Sequence, residues 1–140
     1  MKVLIVEDEI GVAQNLCDLL AEIEPGIEIL TITESVKDTV NWLKTNPQPE
    51  LGFFDIRLAD GSSFDIFKKI QIEFPVIFTT AYDEFALKAF KVNSIDYLLK
   101  PINKIAIRNA LKKYRTFYKK SESIDPSILL RVITELLEGE

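Results

Sequence analysis

Five chemically capable residues stand where short apolar runs stop. Residues 2–6 run into Glu7-Asp8-Glu9, residues 51–54 end on Asp55, residues 76–79 end on Thr80, and residues 95–99 end on Lys100-Pro101. If these runs are neighbouring strands, their ends bring three carboxylates (Glu7, Asp8 and Asp55), one hydroxyl and one ammonium into one crevice. Crowded carboxylates repel and so favour a hard cation. An all-oxygen set suits Mg²⁺, which keeps waters and takes one or two carboxylates with phosphate oxygens. A carboxylate is also a nucleophile able to form an aspartyl-phosphate. Lys100 supplies a point charge for phosphoryl oxygens and Thr80 a hydroxyl donor. Each residue has an ordinary use when taken singly. Glu7 or Asp8 suits a helix start, Asp55 can cap a turn, Thr80 can be a strand-end hydroxyl and Lys100 a solvated cation. Only the set as a whole points to phosphoryl chemistry.

The elements that must position these residues follow from periodicity. Apolar runs at 2–6, 27–32, 51–55, 76–80 and 95–99 predict five strands. Between them, apolar residues at three- and four-residue steps predict helices over 9–23, 34–44, 83–92 and 102–119. The core faces are Val12, Leu16, Leu19, Leu20 and Ile23 in the first, Val36, Val40 and Leu43 in the second, and Ile105, Ile107, Leu111, Tyr114 and Tyr118 in the last. A further helix after Gly61, capped by Ser62 or Ser63, would bury Phe64, Phe67 and Ile70. Pro25-Gly26 stops the first helix. Alternation of strands and helices predicts an α/β fold, a doubly wound five-stranded parallel sheet with five flanking helices. The flavodoxin-like strand order 2-1-3-4-5 makes strands one and three neighbours and gathers ligands at the strands' carboxyl ends. Ile128, Leu129, Val132, Ile133, Leu136 and Leu137 predict one extra C-terminal helix over 126–138.

Composition narrows the class. A chain of 140 residues with 47% apolar content suits one domain and a tail. It contains no histidine, which excludes a histidine base or metal ligand, and Cys17 alone builds no disulfide framework. No apolar run reaches the ~20 residues that span a bilayer, so a cytoplasmic location without membrane contact is expected. The net charge of −5 is unevenly spread. Residues 1–99 carry 17 acids against 8 bases, residues 100–120 carry 8 bases and no acid, and residues 121–140 carry 5 acids and 1 base. The acidic body argues against broad nucleic-acid binding. Lys104, Arg108, Lys112, Arg115 and Lys119 form a charged stripe on one helix, suited to solvent or to acids of a second copy.

Four motifs in order, Val6-Glu7-Asp8-Glu9, Phe54-Asp55-Ile56 with Gly61 beyond, Thr79-Thr80-Ala81, and Asp96-Tyr97-Leu98-Leu99-Lys100-Pro101, resemble the receiver domain of bacterial two-component response regulators. The likeness covers residues 2 to about 120. It implies a phosphoacceptor at Asp55, supplied by a sensor histidine kinase. It implies Mg²⁺ held by Asp8, Asp55 and the backbone carbonyl of Arg57, with Glu7 acting through a metal-bound water. Thr80 and Lys100 would contact the phosphoryl group, Tyr97 would be an aromatic switch, and Lys100-Pro101 a cis peptide. Glu7 departs from the more usual Asp, and its extra methylene is expected to push the carboxylate outward. Ala59 replaces a frequent Pro.

The stretch from Phe78 to Phe90 is similar to receivers whose output is a LytTR-type DNA-binding domain. The resemblance therefore implies a receiver at 1–120 and, at 121–140, a linker and amphipathic helix leading toward an output domain beyond this chain. It implies a switch with no enzymatic activity apart from self-phosphorylation and self-dephosphorylation. The face of the fourth helix, fifth strand and fifth helix would change, giving a phosphorylation-dependent homodimer and control of transcription through DNA binding by the output domain. Three alternatives compete. A receiver-like interaction module would never be phosphorylated. A Mg²⁺-dependent phosphohydrolase of the haloacid dehalogenase type wants a second Asp at position 57, where Arg57 stands. A flavodoxin-like cofactor binder wants a Ser/Thr/Gly-rich loop where Glu7-Asp8-Glu9 stands.

Overall fold

The computed structural model describes residues 1–81 and 94–119. Five parallel strands form one sheet: β1 Lys2–Val6, β2 Glu28–Thr33, β3 Leu51–Asp55, β4 Val76–Thr80 and β5 Ser94–Leu99. Their spatial order is β2-β1-β3-β4-β5, the expected order, which seats β1 beside β3 and leaves β2 and β5 at the edges. Helices α1 Ile10–Ile23, α2 Val36–Thr45 and α3 Phe64–Lys69 flank the sheet with a further helix at Lys104–Tyr114, which continues as a π-helical turn over Arg115–Lys119. The helix expected over 83–92 and the extra helix over 126–138 lie outside the described residues.

The central strands are apolar on both faces because both faces are covered. Val3 and Ile5 of β1, Phe53 of β3 and Ile77 of β4 pack into a cluster with Leu16, Leu20, Ile107 and Leu111. The alternate residues Leu4, Val6, Phe54 and Phe78 pack into a second cluster with Val36, Val40, Leu43 and Ile66. Strand periodicity thus divides one apolar run between two cores. Each fully buried side chain of this kind contributes at most about 1.5–3 kcal/mol. Gly52 is required where Phe54 and Phe74 close over β3. A Cβ there would meet their ring carbons at 2.6 and 2.9 Å.

Several expectations are corrected by the packing. Ile105 is 70% exposed, because it lies two residues, about 200° of helical turn, from the buried Ile107. The fully buried residue of α3 is Ile66, while Phe64, Phe67 and Ile70 only half-bury against it. Ser62, rather than Ser63, caps the α3 end, accepting a bond from Phe64 N–H at 3.1 Å. The Ser63 hydroxyl is buried and has no hydrogen-bond partner among the described residues. Cys17 is half-buried, and burial pushes its thiol pKa up. The basic stripe is partly neutralised within the chain. Lys104 pairs with Glu22 at 3.0 Å and Arg115 with Glu24, both acids of the α1 region; beside the stripe, Lys113 pairs with Asp96 at 3.2 Å.

Candidate functional site

The carboxyl ends of β1, β3, β4 and β5 meet as the strand order requires. Asp55 is the last residue of β3 and is only 6% exposed. Its neighbours in register are Thr79 on β4 and, one step earlier, Phe54 beside Val6 on β1. Glu7 leaves β1 and remains buried, its N–H bonded to Thr33 O at 2.9 Å. Thr80 ends β4, fully buried, and its carbonyl accepts the Lys100 N–H at 2.8 Å. That bond fixes where Lys100 leaves β5, just before the cis peptide to Pro101.

Lys100 is the hub. Its Nζ lies 2.8 Å from Glu7 Oε1, 3.1 Å from Asp55 Oδ2 and 4.0 Å from Glu9 Oε1. The other Glu7 oxygen accepts the Glu9 N–H at 3.2 Å. Glu7 therefore points inward onto Lys100, contrary to the expected outward displacement, because the buried ammonium offers the nearest countercharge. Burial raises the Glu7 pKa, Lys100 and the Glu9 N–H lower it, and Asp55 raises it again; the outcome is pushed up to about 7. Burial alone would lower the Lys100 pKa, but the bonds and charges of Glu7 and Asp55 outweigh it and hold it above its ordinary value.

Oxygen atoms of Glu7, Asp8 and Asp55 all lie within 4.8 Å of one another. The donors are all hard oxygens, and three carboxylates crowded against a single ammonium leave negative charge that a cation would offset, so the residues fit a hard divalent cation such as Mg²⁺. A cleft of about 240 Å³ opens over them, lined by Asp8, Glu9, Asp55, Arg57, Ala81 and Lys100. Arg57 belongs to a short antiparallel hairpin, Arg57–Leu58 with Gly61–Ser62, that carries the chain away from Asp55. Tyr97 lies on β5, half-buried against the second core cluster.

The structure thus brings Asp8, Asp55, Arg57 and Lys100 around one cleft, sets the buried Glu7 behind it against Lys100, and places Thr80 at the adjoining strand end. Tyr97 stands away from the cleft, on the edge strand. What sequence reasoning missed is Glu9, close to Lys100 and donor to Glu7, and Asp60, whose carboxylate bonds α2 at Val36 N–H (2.8 Å) and Lys37 N–H (3.0 Å). The only signal for Asp60 was its place before a glycine in a turn.

Comparison with known proteins agrees with the fold. Residues 3–112 match the response regulator receiver domain family. The chain is 38% identical over 118 residues to the sensory transduction protein LytT of Bacillus anthracis, covering 82% of this chain and 47% of that one. It is 37% identical over 126 residues to the transcriptional regulatory protein LytR of Staphylococcus aureus (strain N315), covering 88% and 50% respectively. The chain therefore spans about half the length of these relatives. Among solved structures, the response regulatory domain of protein mrkE from Klebsiella pneumoniae superposes with a TM-score of 0.73 at 29% identity, over 86% of this chain and 99% of that one.

Proposed function

The chain belongs to the response regulator receiver domains, and from that premise we propose that it is a phosphoacceptor switch with Asp55 as the acceptor. The observation that carries this reading is Asp55 at the end of β3, its Oδ2 3.1 Å from Lys100 Nζ and its carboxylate clustered with Glu7 and Asp8. A sensor histidine kinase is the proposed donor. An Asp55 oxygen attacks phosphorus, the bond from phosphorus to the donor imidazole breaks, and that imidazole leaves with a proton. Mg²⁺, held by Asp8, Asp55 and the Arg57 carbonyl with Glu7 at its margin, would offset charge on the transferring group. Lys100 turns from the Asp55 carboxylate to the phosphoryl oxygens, keeping Glu7 as its second partner. Thr80 donates its hydroxyl to the same group. The exclusion of bulk water at the buried Asp55 strengthens each of these contacts.

The readout is proposed to run from Thr80 to Tyr97. Phosphorylation adds about −1.5 to −2 charge at one strand end, biasing the β5 face between two packings. A homodimer through that face, acting on DNA through an output domain, is the proposed consequence. Relatives named as transcriptional and sensory transduction regulators support it. The test is intact mass after incubation with acetyl phosphate, with MgCl₂ or with EDTA, on the wild type and on Asp55→Asn. A phosphoryl adduct that needs Mg²⁺ and is absent in the variant is expected. No adduct under any condition would leave an interaction module.

A further inference from the structure

The hairpin after Asp55 is fastened at both ends. At its base, Ile56 N–H bonds Thr79 O at 3.0 Å and Ser63 N–H bonds Ile56 O at 2.8 Å. Its rungs pair Arg57 with Ser62 and Leu58 with Gly61, leaving Ala59 and Asp60 as a two-residue tip. The tip is not left in solvent alone. Asp60 Oδ1 and Oδ2 each accept one of the first two N–H groups of α2, from Val36 and Lys37, 24 and 23 residues away. Ser35 Oγ takes the third, from Asp38, at 3.0 Å. These N–H groups have no partner within the helix, and the helix end favours a negative charge. The Asp60 carboxyl is accordingly held below the usual carboxylate range, chiefly by the Val36 N–H.

Gly61, with φ of +145°, supplies the turn that brings Asp60 to α2. Leu58 beside it is buried in the second core cluster. The residue between the fastened base and the fastened tip is Arg57, which lines the cleft with Asp8 and Asp55.

We propose that Asp60 is a positioning residue for the phosphoacceptor cleft: by capping α2 it fixes the 57–62 hairpin, and through it the Arg57 backbone beside the carboxylate cluster. The proposal rests on the reading of the Arg57 carbonyl as a metal ligand. Groups that orient a ligand without touching the metal typically change affinity by 10–100-fold. Asp60 acts through the hairpin rather than directly on a ligand, so a loss at the lower end, roughly tenfold, is expected.

The test measures MgCl₂ binding by calorimetry in the wild type, Asp60→Ala, Asp60→Asn and Ser35→Ala. Ser35→Ala removes a cap from the same helix without touching the hairpin, and so separates positioning from simple loss of helix stability. Asp60→Ala is expected to bind Mg²⁺ roughly tenfold more weakly. Asp60→Asn, which keeps one acceptor, should fall between, and Ser35→Ala should bind like the wild type. Equal losses in Asp60→Ala and Ser35→Ala, or no loss in either, overturn the proposal.

Amide hydrogen exchange of the metal-free proteins gives a second readout. Exchange at Leu58 and Gly61 should quicken in Asp60→Ala and not in Ser35→Ala. If the wild type takes up no Mg²⁺, the phosphoacceptor reading fails, and exchange still decides the tie. Quickening confined to Asp60→Ala sustains the positioning role, and unchanged exchange overturns it.

Discussion

Replacing Glu7 by Gln is expected to stabilise the metal-free protein at alkaline pH. Glu7 is 3% exposed, and burial is the main reason its pKa rises from 4.5 to about 7. The folded value lies above the unfolded one, so the fold binds the proton more tightly than the open chain does. This contribution is fully present below about pH 4.5 and is lost as pH rises through about 7. The interval corresponds to about 3 kcal/mol. A carboxamide removes that loss. It also gives up the bond from Glu9 N–H to Glu7 Oε2, because an amide nitrogen accepts nothing; that costs about 1 kcal/mol. The net gain at pH 8 is about 2 kcal/mol, or roughly 5–10 °C in melting temperature.

The assay is urea and thermal denaturation in EDTA at pH 5 and pH 8. The wild type should lose stability between the two through this group, and Glu7→Gln should lose about 2–3 kcal/mol less across the interval. MgCl₂ should restore wild-type stability at pH 8 and restore the variant less, since the variant has lost one carboxylate of the cluster. Parallel pH profiles for the two proteins in EDTA, with Glu7→Gln no more stable at pH 8, would refute the reasoning.

Lys100→Met leaves Glu7 and Asp55 buried without their ammonium. It is expected to cost about 3 kcal/mol at pH 8 and less at pH 5, where Glu7 is protonated, as read from urea midpoints at the two pH values. Gly61→Ala forces a side chain onto a backbone with φ of +145° and a Cβ 2.8 Å from Asp65 Oδ2. A loss of about 1–2 kcal/mol in chemical denaturation is expected. Ser63→Ala removes a buried hydroxyl that has no hydrogen-bond partner among the described residues, so it should hold or raise stability by up to about 1 kcal/mol, checked by the same denaturation.

The parts of the fold that were legible are those with one dominant physical cause. β1, β3 and β4 are buried on both faces, so each reads as an uninterrupted apolar run bounded by charge or a turn. Their limits, Lys2–Val6, Leu51–Asp55 and Val76–Thr80, match the expected ones. The edge strands carry weaker patterns, and β2 and β5 begin one residue from where they were expected. The site was legible because strand order alone gathers strand ends, which is why Glu7, Asp8, Asp55 and Lys100 could be grouped before any distance was known. Side-chain direction was not legible. Glu7 turns inward because of a lysine 93 positions away in the chain, and Asp60 caps a helix that starts 24 residues earlier. Ile105 was assigned to the core from hydrophobicity, although the buried set Ile107, Ala110, Leu111 and Tyr114 occupies the opposite side of the helix.

The most direct measurement of the central claim is where the phosphoryl group goes. An acyl phosphate is reduced by borohydride to an alcohol, which turns a phosphorylated aspartate into homoserine. The protein should be treated with acetyl phosphate and MgCl₂, reduced with borohydride, digested and mapped by mass. Homoserine at position 55, absent when Mg²⁺ is withheld, is the predicted result. Homoserine at Asp8, Asp60 or any other acid in place of position 55, or none anywhere, would contradict the account.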